Sequence, residues 1–309
     1  MAGLDQAQLN FNPDALAILN VLLGLIMFGV GLDLRIGDVR TLMKRWPVLL
    51  VGLTGQWILL PLLTVMLIVW LKPSPSLALG MIIIAACPGG SVSNYFSHVA
   101  RGDIALSVSL SALTSAICFI TTPLTIAIWG GLLPEVAELL ATVSIAWHEM
   151  LLLVLGVLLA PALAGATLAA LRPHRADQLR KPLQRFSMLA FASFVIAAFV
   201  ANGQLFIEAA EQIVGLVAVH NAAALLAGYL LARALRLRAA ECRSISIEVG
   251  IQNTALGLSV IFTFFNALGG TALITAWWGV WHLITGALVA VWWRRSDHAR
   301  TPTTMSNVQ

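Results

Sequence analysis

The stretch 244–259 reads SISIEVGIQNTALGLS. It places one carboxylate, Glu248, in otherwise apolar surroundings, with Gln252 and Asn253 close behind and Gly250 and Gly257 loosening a helix around them. A second polar group stands at 87–94, CPGGSVSN, where a Pro and two Gly lead into hydroxyls and an amide. Neither segment forms a smooth apolar helix, because Pro removes a backbone donor and Gly disfavours the helical state. A carboxylate in so apolar a run is costly unless it is paired or hydrated. The nearest cation on the same segment, Arg243, lies at its boundary, so a mobile cation is the natural partner. Hard cations take oxygen ligands, and carboxylate, amide, hydroxyl and carbonyl groups supply them. The two segments and their neighbours hold such a set: Ser91, Ser93, Asn94, Ser107 and Ser111 from the first, and Glu248, Gln252 and freed backbone carbonyls from the second.

Blander readings stand beside this one. Glu248 could reach water past Arg243 on an unbroken helix. Ser107 and Ser111 lie one helical turn apart, and serines in apolar helices usually bond their own backbone or a neighbouring helix. Gln56, in GQWILLP, has an interhelical hydrogen bond as its ordinary role. His220 and His282 read first as satisfied core histidines. Asp33 and Glu149 fall near span ends, where they reach water.

The elements that must position these residues are membrane helices. Of 309 residues, 59% are hydrophobic and 10% charged, against about 25% charged in soluble domains. Apolar runs recur between short basic loops, which describes an all-α polytopic membrane protein. Nine spans are expected, at 15–34, 47–71, 77–97, 104–129, 149–171, 186–201, 212–233, 244–265 and 272–293. With the N-terminus outside, 17 of the 18 Lys and Arg fall on cytoplasmic segments and only Lys72 lies outside. The rule that basic loops stay in the cytoplasm therefore expects the N-terminus out and the C-terminus in. Trp46, Trp70, Trp129, Trp147, Trp292 and Trp293 fall near span ends, where interfacial anchors sit. Basic residues confined to loops are explained by topology, so no nucleic-acid partner is expected. Cys87, Cys118 and Cys242 have no C-x-x-C spacing and are expected as free thiols, two in spans and one in a basic loop. The N-terminal residues lack the basic n-region and cleavage site of a signal peptide. No Walker A or zinc pattern is present.

Spans three and eight carry the two breaks and run in opposite directions, each followed by one more helix. That is the pattern of an inverted repeat whose discontinuous helices cross at a binding site. Five plus five helices make the full repeat, and nine fit if the first repeat lacks its opening helix.

At these residues the sequence resembles the bile acid:sodium symporter family. CPGGSVSNYFSHVARGDIALSVSLS is similar to its first-repeat signature and IEVGIQNTAL to its second, with GQWILLP, VHN and VWH…TG in matching order from about Leu22 to Trp292. The resemblance implies a panel domain of spans 15–34, 149–171 and 186–201, and a core domain of spans 47–71, 77–97, 104–129, 212–233, 244–265 and 272–293. It implies two sodium sites. The first falls on Ser93, Asn94, Ser107, Ser111 and Glu248. The second falls on Gln56, Glu248, Val249, Ile251 and Gln252, with Val249 and Ile251 offering backbone carbonyls. Ser91, Asn253 and His282 match substrate-facing positions. Two departures are visible: Ser111 stands where Thr is frequent, which keeps the hydroxyl, and Leu283 stands where Asn is frequent, which weakens polar substrate contact. The short first repeat resembles animal members, whereas the Ala-rich composition and the lack of glycosylation sequons suggest a bacterial chain.

The expectation is a sodium-coupled symporter importing an organic anion (bile acid-like, sulfated steroid or small carboxylate) with two Na+ by alternating access, as a monomer in a bacterial inner membrane. A proton-coupled or channel-like transporter is the alternative. An intramembrane enzyme using Glu248 as base with His282 or His220 is a further one, and lacks an evident nucleophile or metal cluster.

Overall fold

A computed structural model describes residues 13–33, 45–142, 155–265 and 268–300. The described residues are helical, with no strand among them. Helix α1 is Pro13–Asp33. Helix α2, Trp46–Thr54, passes through a π-helical turn, Gly55–Leu59, into α3, Leu60–Leu71. The turn has a local cause: Pro61 has no N–H to continue the ladder, and the chain widens by one residue ahead of it. The same device recurs at a second π-helical turn, Leu155–Leu159, which precedes Pro161 in α9, Ala160–Leu171. Between them lie α4 (Pro75–Ala86), α5 (Ser91–Val99), α6 (Ile104–Ala116), α7 (Cys118–Gly131) and α8 (Pro134–Thr142). The rest are α10 (Pro173–Ala201), α11 (Gly203–Ala234), α12 (Ala239–Gly250), α13 (Thr254–Phe264) and α14 (Gly269–Arg300).

Three continuous stretches, Trp46–Leu71, Phe206–Ala234 and Gly269–Ser296, are each long and apolar enough to cross a membrane. The pair α6 and α7 makes a fourth if counted as one span, though it is bent by 77°. That bend corrects the expectation of one smooth span at 104–129. Hydroxyls bond back on both sides of it, Thr114 Oγ1 to the carbonyl of Leu110 (2.8 Å) and Thr121 Oγ1 to that of Ile117 (3.3 Å), and such back-bonding bends helices. The basic segment 172–185 is also not a loop: α10 starts at Pro173 and runs through it. Hydropathy marks where the apolar part of a helix begins, and a proline at the first turn marks where the helix itself begins. The expected span at 149–171 is described from Leu155 onward, and Glu149, Trp147 and the side chains of Asp33 and Ser91 lie outside what is described.

Two breaks lie at the centre. The chain is non-helical between α4 and α5, at 87–90, and between α12 and α13, at 251–253. They meet as an antiparallel bridge between Gly89 and Gln252. Gly90 N–H donates to the Ile251 carbonyl (3.1 Å) and Asn253 N–H to the Pro88 carbonyl (2.9 Å). Broken backbone inside a membrane is tolerated where its polar groups are satisfied within protein, and here each break satisfies the other. Helix α4 is buried from Ser76 to Ala86 and α13 over nearly its whole length. Helices α1 and α9 cross closely, because a side chain on Gly31 would strike the backbone of Ala162 and one on Gly165 that of Phe28.

Two further expectations are corrected by packing. Trp293 is not an interfacial anchor: it is buried and stacks on Tyr229 with ring centroids 5.8 Å apart, whereas Trp46, Trp70 and Trp292 are exposed. Cys242 lies not in a loop but in the first turns of α12, fully buried; it, Cys87 and Cys118 are free thiols.

Candidate functional site

Glu248 sits in the last turns of α12, 2% exposed, directly before the second break. Hydroxyls from α5 and α6 converge on its carboxylate. Ser93 Oγ donates to Oε2 (2.7 Å), Ser107 Oγ approaches Oε2 (3.2 Å) and Ser111 Oγ donates to Oε1 (2.5 Å). Asn94 closes the group: its Oδ1 lies 2.9 Å from Ser107 Oγ and 3.3 Å from Ser111 Oγ. The helical spacing explains the convergence. Ser107 and Ser111 are one turn apart on one face of α6, and Ser93 and Asn94 stand in the first turn of α5, just past the break. Gly89 completes the fit, since a side chain there would run into the Glu248 carboxylate. No Lys or Arg among the described residues forms an ion pair with Glu248. The reading of Glu248 as reaching water along an unbroken helix is therefore excluded by its burial and its hydroxyl shell.

On the other side of the bridge, Gln56 projects from the π-helical turn, where the widened backbone lets the side chain cross to the break. Its Nε2 donates to the Cys87 carbonyl (2.9 Å) and to Gln252 Oε1 (2.6 Å). Gln252 Nε2 donates to the Val249 carbonyl (2.8 Å). Gln56, Gln252 and Val249 are thus brought together one turn from Glu248, while the Ile251 carbonyl is held by Gly90 N–H. Each carbonyl oxygen keeps a second lone pair.

The remaining expected residues are more dispersed. Asn253 uses Oδ1 to cap α13, accepting from Leu256 N–H (3.1 Å). His282, on α14, is 5% exposed, and its Nδ1 has no protein partner among the described residues. No hydrogen bond joins His282 to Asn253 among the described residues. His220 is a satisfied core histidine on one side: Nε2 lies 2.7 Å from Thr64 Oγ1, and the ring meets the edge of Trp278 at 4.7 Å.

Three features of the site carry no distinct signal in the sequence. Ser97 extends the hydroxyl cluster, donating to Ser107 Oγ (3.1 Å). Asn221 is fully buried and contacts the second break. A ring of charges closes the end of the molecule where α6 and α12 begin. Arg45 pairs with Asp103 (3.0 Å) and with Glu241, and Arg238 pairs with Asp103 (3.2 Å) and Glu241 (2.9 Å). Asp103 also caps α6. Burial pushes the Glu241 carboxyl up, but the Arg238 side chain and backbone N–H bond it and both arginines attract it, so it is held below its usual range. These arginines were legible only as topology signals.

A family model described as the sodium bile acid symporter family matches residues 20–209. The chain belongs to the sodium bile acid symporter family. Among its relatives, an uncharacterized sodium-dependent transporter of Bacillus subtilis, YocS, is 27% identical over 278 residues, covering 90% of this chain and 83% of the relative. The probable sodium/metabolite cotransporter BASS1 of Arabidopsis thaliana chloroplasts is 33% identical over 89% of this chain and 66% of its own longer length. The human ileal sodium/bile acid cotransporter is 26% identical over 80% of this chain and 73% of its own. Membership makes the protein a membrane transporter of a sodium-dependent family and removes the intramembrane-enzyme reading of Glu248.

Proposed function

We propose that the protein is a sodium-coupled symporter that imports an organic anion by alternating access. The observation that carries this reading is the meeting of the two helix breaks at Glu248. A buried carboxylate ringed by Ser93, Ser107, Ser111 and Asn94 oxygens is a donor set suited to a hard monovalent cation. Ser93, Asn94, Ser107, Ser111 and Glu248 form the first sodium site. Gln56, Glu248, Gln252 and the carbonyls of Val249 and Ile251 form the second. Glu248 belongs to both.

The substrate is an organic anion of the bile acid-like, sulfated steroid or small carboxylate class, in keeping with relatives named for bile acid and for metabolite cotransport. Ser91, Asn253 and His282 are its contacts in this proposal. The N-termini of α5 and α13 begin at the breaks and carry partial positive charge, which favours an anion there. Two sodium ions and Glu248 leave the site at +1, and a monovalent anion brings it to zero. A near-neutral site changes sides at least electrostatic cost. Sodium and anion then strengthen each other's binding reciprocally, and each cycle carries one net positive charge inward.

The chain crosses the inner membrane of a bacterium nine times as a monomer, N-terminus out and C-terminus in, with two inverted repeats arranged as a core moving against a panel. Uptake of a set of labelled organic anions into proteoliposomes tests the function. Transport that requires an inward sodium gradient and generates inward positive current is expected. Uptake unchanged when choline replaces sodium, or driven by a proton gradient alone, contradicts it.

A further inference from the structure

Asn221 lies in the middle of α11 with no exposure to solvent. It is one of the few amides in an apolar helix, and both its polar ends are engaged. Nδ2 donates to the Gly250 carbonyl (2.7 Å), and Oδ1 accepts from Thr285 Oγ1 on α14 (2.6 Å). The orientation of the amide follows from its partners, since a carbonyl oxygen can only accept.

Gly250 is the last residue of α12, and its carbonyl is one of those a helix end leaves without an internal donor. Ile251 follows in extended conformation, at φ −119° and ψ 105°. The peptide planes on either side of an extended residue point their carbonyls in roughly opposite directions. Holding the Gly250 carbonyl toward α11 therefore turns the Ile251 carbonyl the other way, toward Gly90 N–H and the proposed second sodium site. Thr285 adds a connection. Its hydroxyl also lies 3.2 and 3.3 Å from the Trp281 and His282 carbonyls of its own helix. It thus has a second place to donate, one turn from His282.

Resting on the sodium-coupled reading above, we infer that Asn221 is a positioning residue. It fixes the second break so that the Ile251 carbonyl presents to sodium, and through Thr285 it ties that break to the helix bearing His282. A group that orients a ligand without touching the ion typically changes metal affinity by about tenfold or more when removed.

The test is sodium titration of purified protein, read by thermal stabilisation. Asn221→Ala raises the half-saturating sodium concentration about tenfold and lowers the cooperativity toward a single site. Thr285→Val, which removes one hydroxyl and keeps the side-chain volume, moves both in the same direction, and Thr285→Ser restores them. Thr64→Val removes a comparable buried bond, from α3 to His220, that reaches no residue of either break. It lowers the melting temperature without moving the sodium half-saturation. Thr285→Val carries the test should Asn221→Ala not accumulate. A wild type that responds to sodium, with Thr285→Val and any folded Asn221→Ala matching its half-saturation and cooperativity, overturns the positioning role alone. A wild type with no sodium response overturns the role together with the sodium-coupled reading.

Discussion

At the scale of residues, a single carboxylate organises the site. Glu248 receives hydroxyls from two helices of the first half of the chain, while its neighbours Val249 and Gln252 reach Gln56 on the other side. This geometry predicts separable ion sites. Asn94→Ala should remove the first sodium response and Gln56→Ala the second, each leaving a weakened, single-site stabilisation in a sodium thermal-shift titration, with half-saturation raised about tenfold. Unchanged affinity and uptake in Gln56→Ala would leave that side chain only as an interhelical bond to Gln252. Most of this cluster was legible in the sequence, because Glu, Gln, Asn and Ser stand out in apolar runs and because Ser107 and Ser111 share a helix face. Ser97 and Asn221 were not singled out as site residues. A lone polar side chain in an apolar helix usually bonds a neighbour, and nothing local says which neighbour it meets. Asn221 reaches Gly250, 29 positions on.

At the scale of elements, the two breaks pair with each other, and the charged ring joins the starts of α2, α6 and α12. The breaks were legible from Pro88, Gly89, Gly90 and Gly250, since such residues interrupt helices wherever they occur. The bend at Ile117 was not, because threonine back-bonding leaves no comparable mark on composition. Nor was the ring, whose Arg45–Asp103 and Arg45–Glu241 pairs join positions 58 and 196 residues apart. Glu241, outside the expected span at 244–265, has its carboxyl held below the usual value near 4.5. A depressed folded-state pKa contributes stability that is present above the unfolded value and lost as pH falls through the folded one. Thermal melting followed from neutral pH down through the carboxylate range should therefore show an acid-side loss, and Glu241→Gln should remove the part due to Glu241. At neutral pH the same change should destabilise by about 1 kcal/mol, because the partner arginines are partly exposed. A Glu241→Gln protein with wild-type melting at all pH values would leave the ring without a stabilising role.

At the scale of the whole molecule, topology and coupling follow from the same arrangement. With the proposed nine crossings, 17 of the 18 basic residues fall on the cytoplasmic side and Lys72 alone on the other. Cysteines placed at Ser74 and Ser296 should accordingly label with an impermeant reagent from opposite faces of intact cells, and same-face labelling would contradict nine crossings. The three long apolar stretches, Trp46–Leu71, Phe206–Ala234 and Gly269–Ser296, were legible as apolar runs, but the extents of α10, α11 and α14 beyond those runs were not, since a helix continues through polar residues that hydropathy excludes. The central claim is that Glu248 is shared by two sodium ions whose charge the anion balances. Sodium titration of Glu248→Gln, beside Asn94→Ala and Gln56→Ala, tests it most directly. The account predicts that Glu248→Gln loses both sodium responses together, with sodium-driven uptake abolished, while each of the other two retains one. A Glu248→Gln protein that still takes up its anion with cooperative sodium dependence would contradict it.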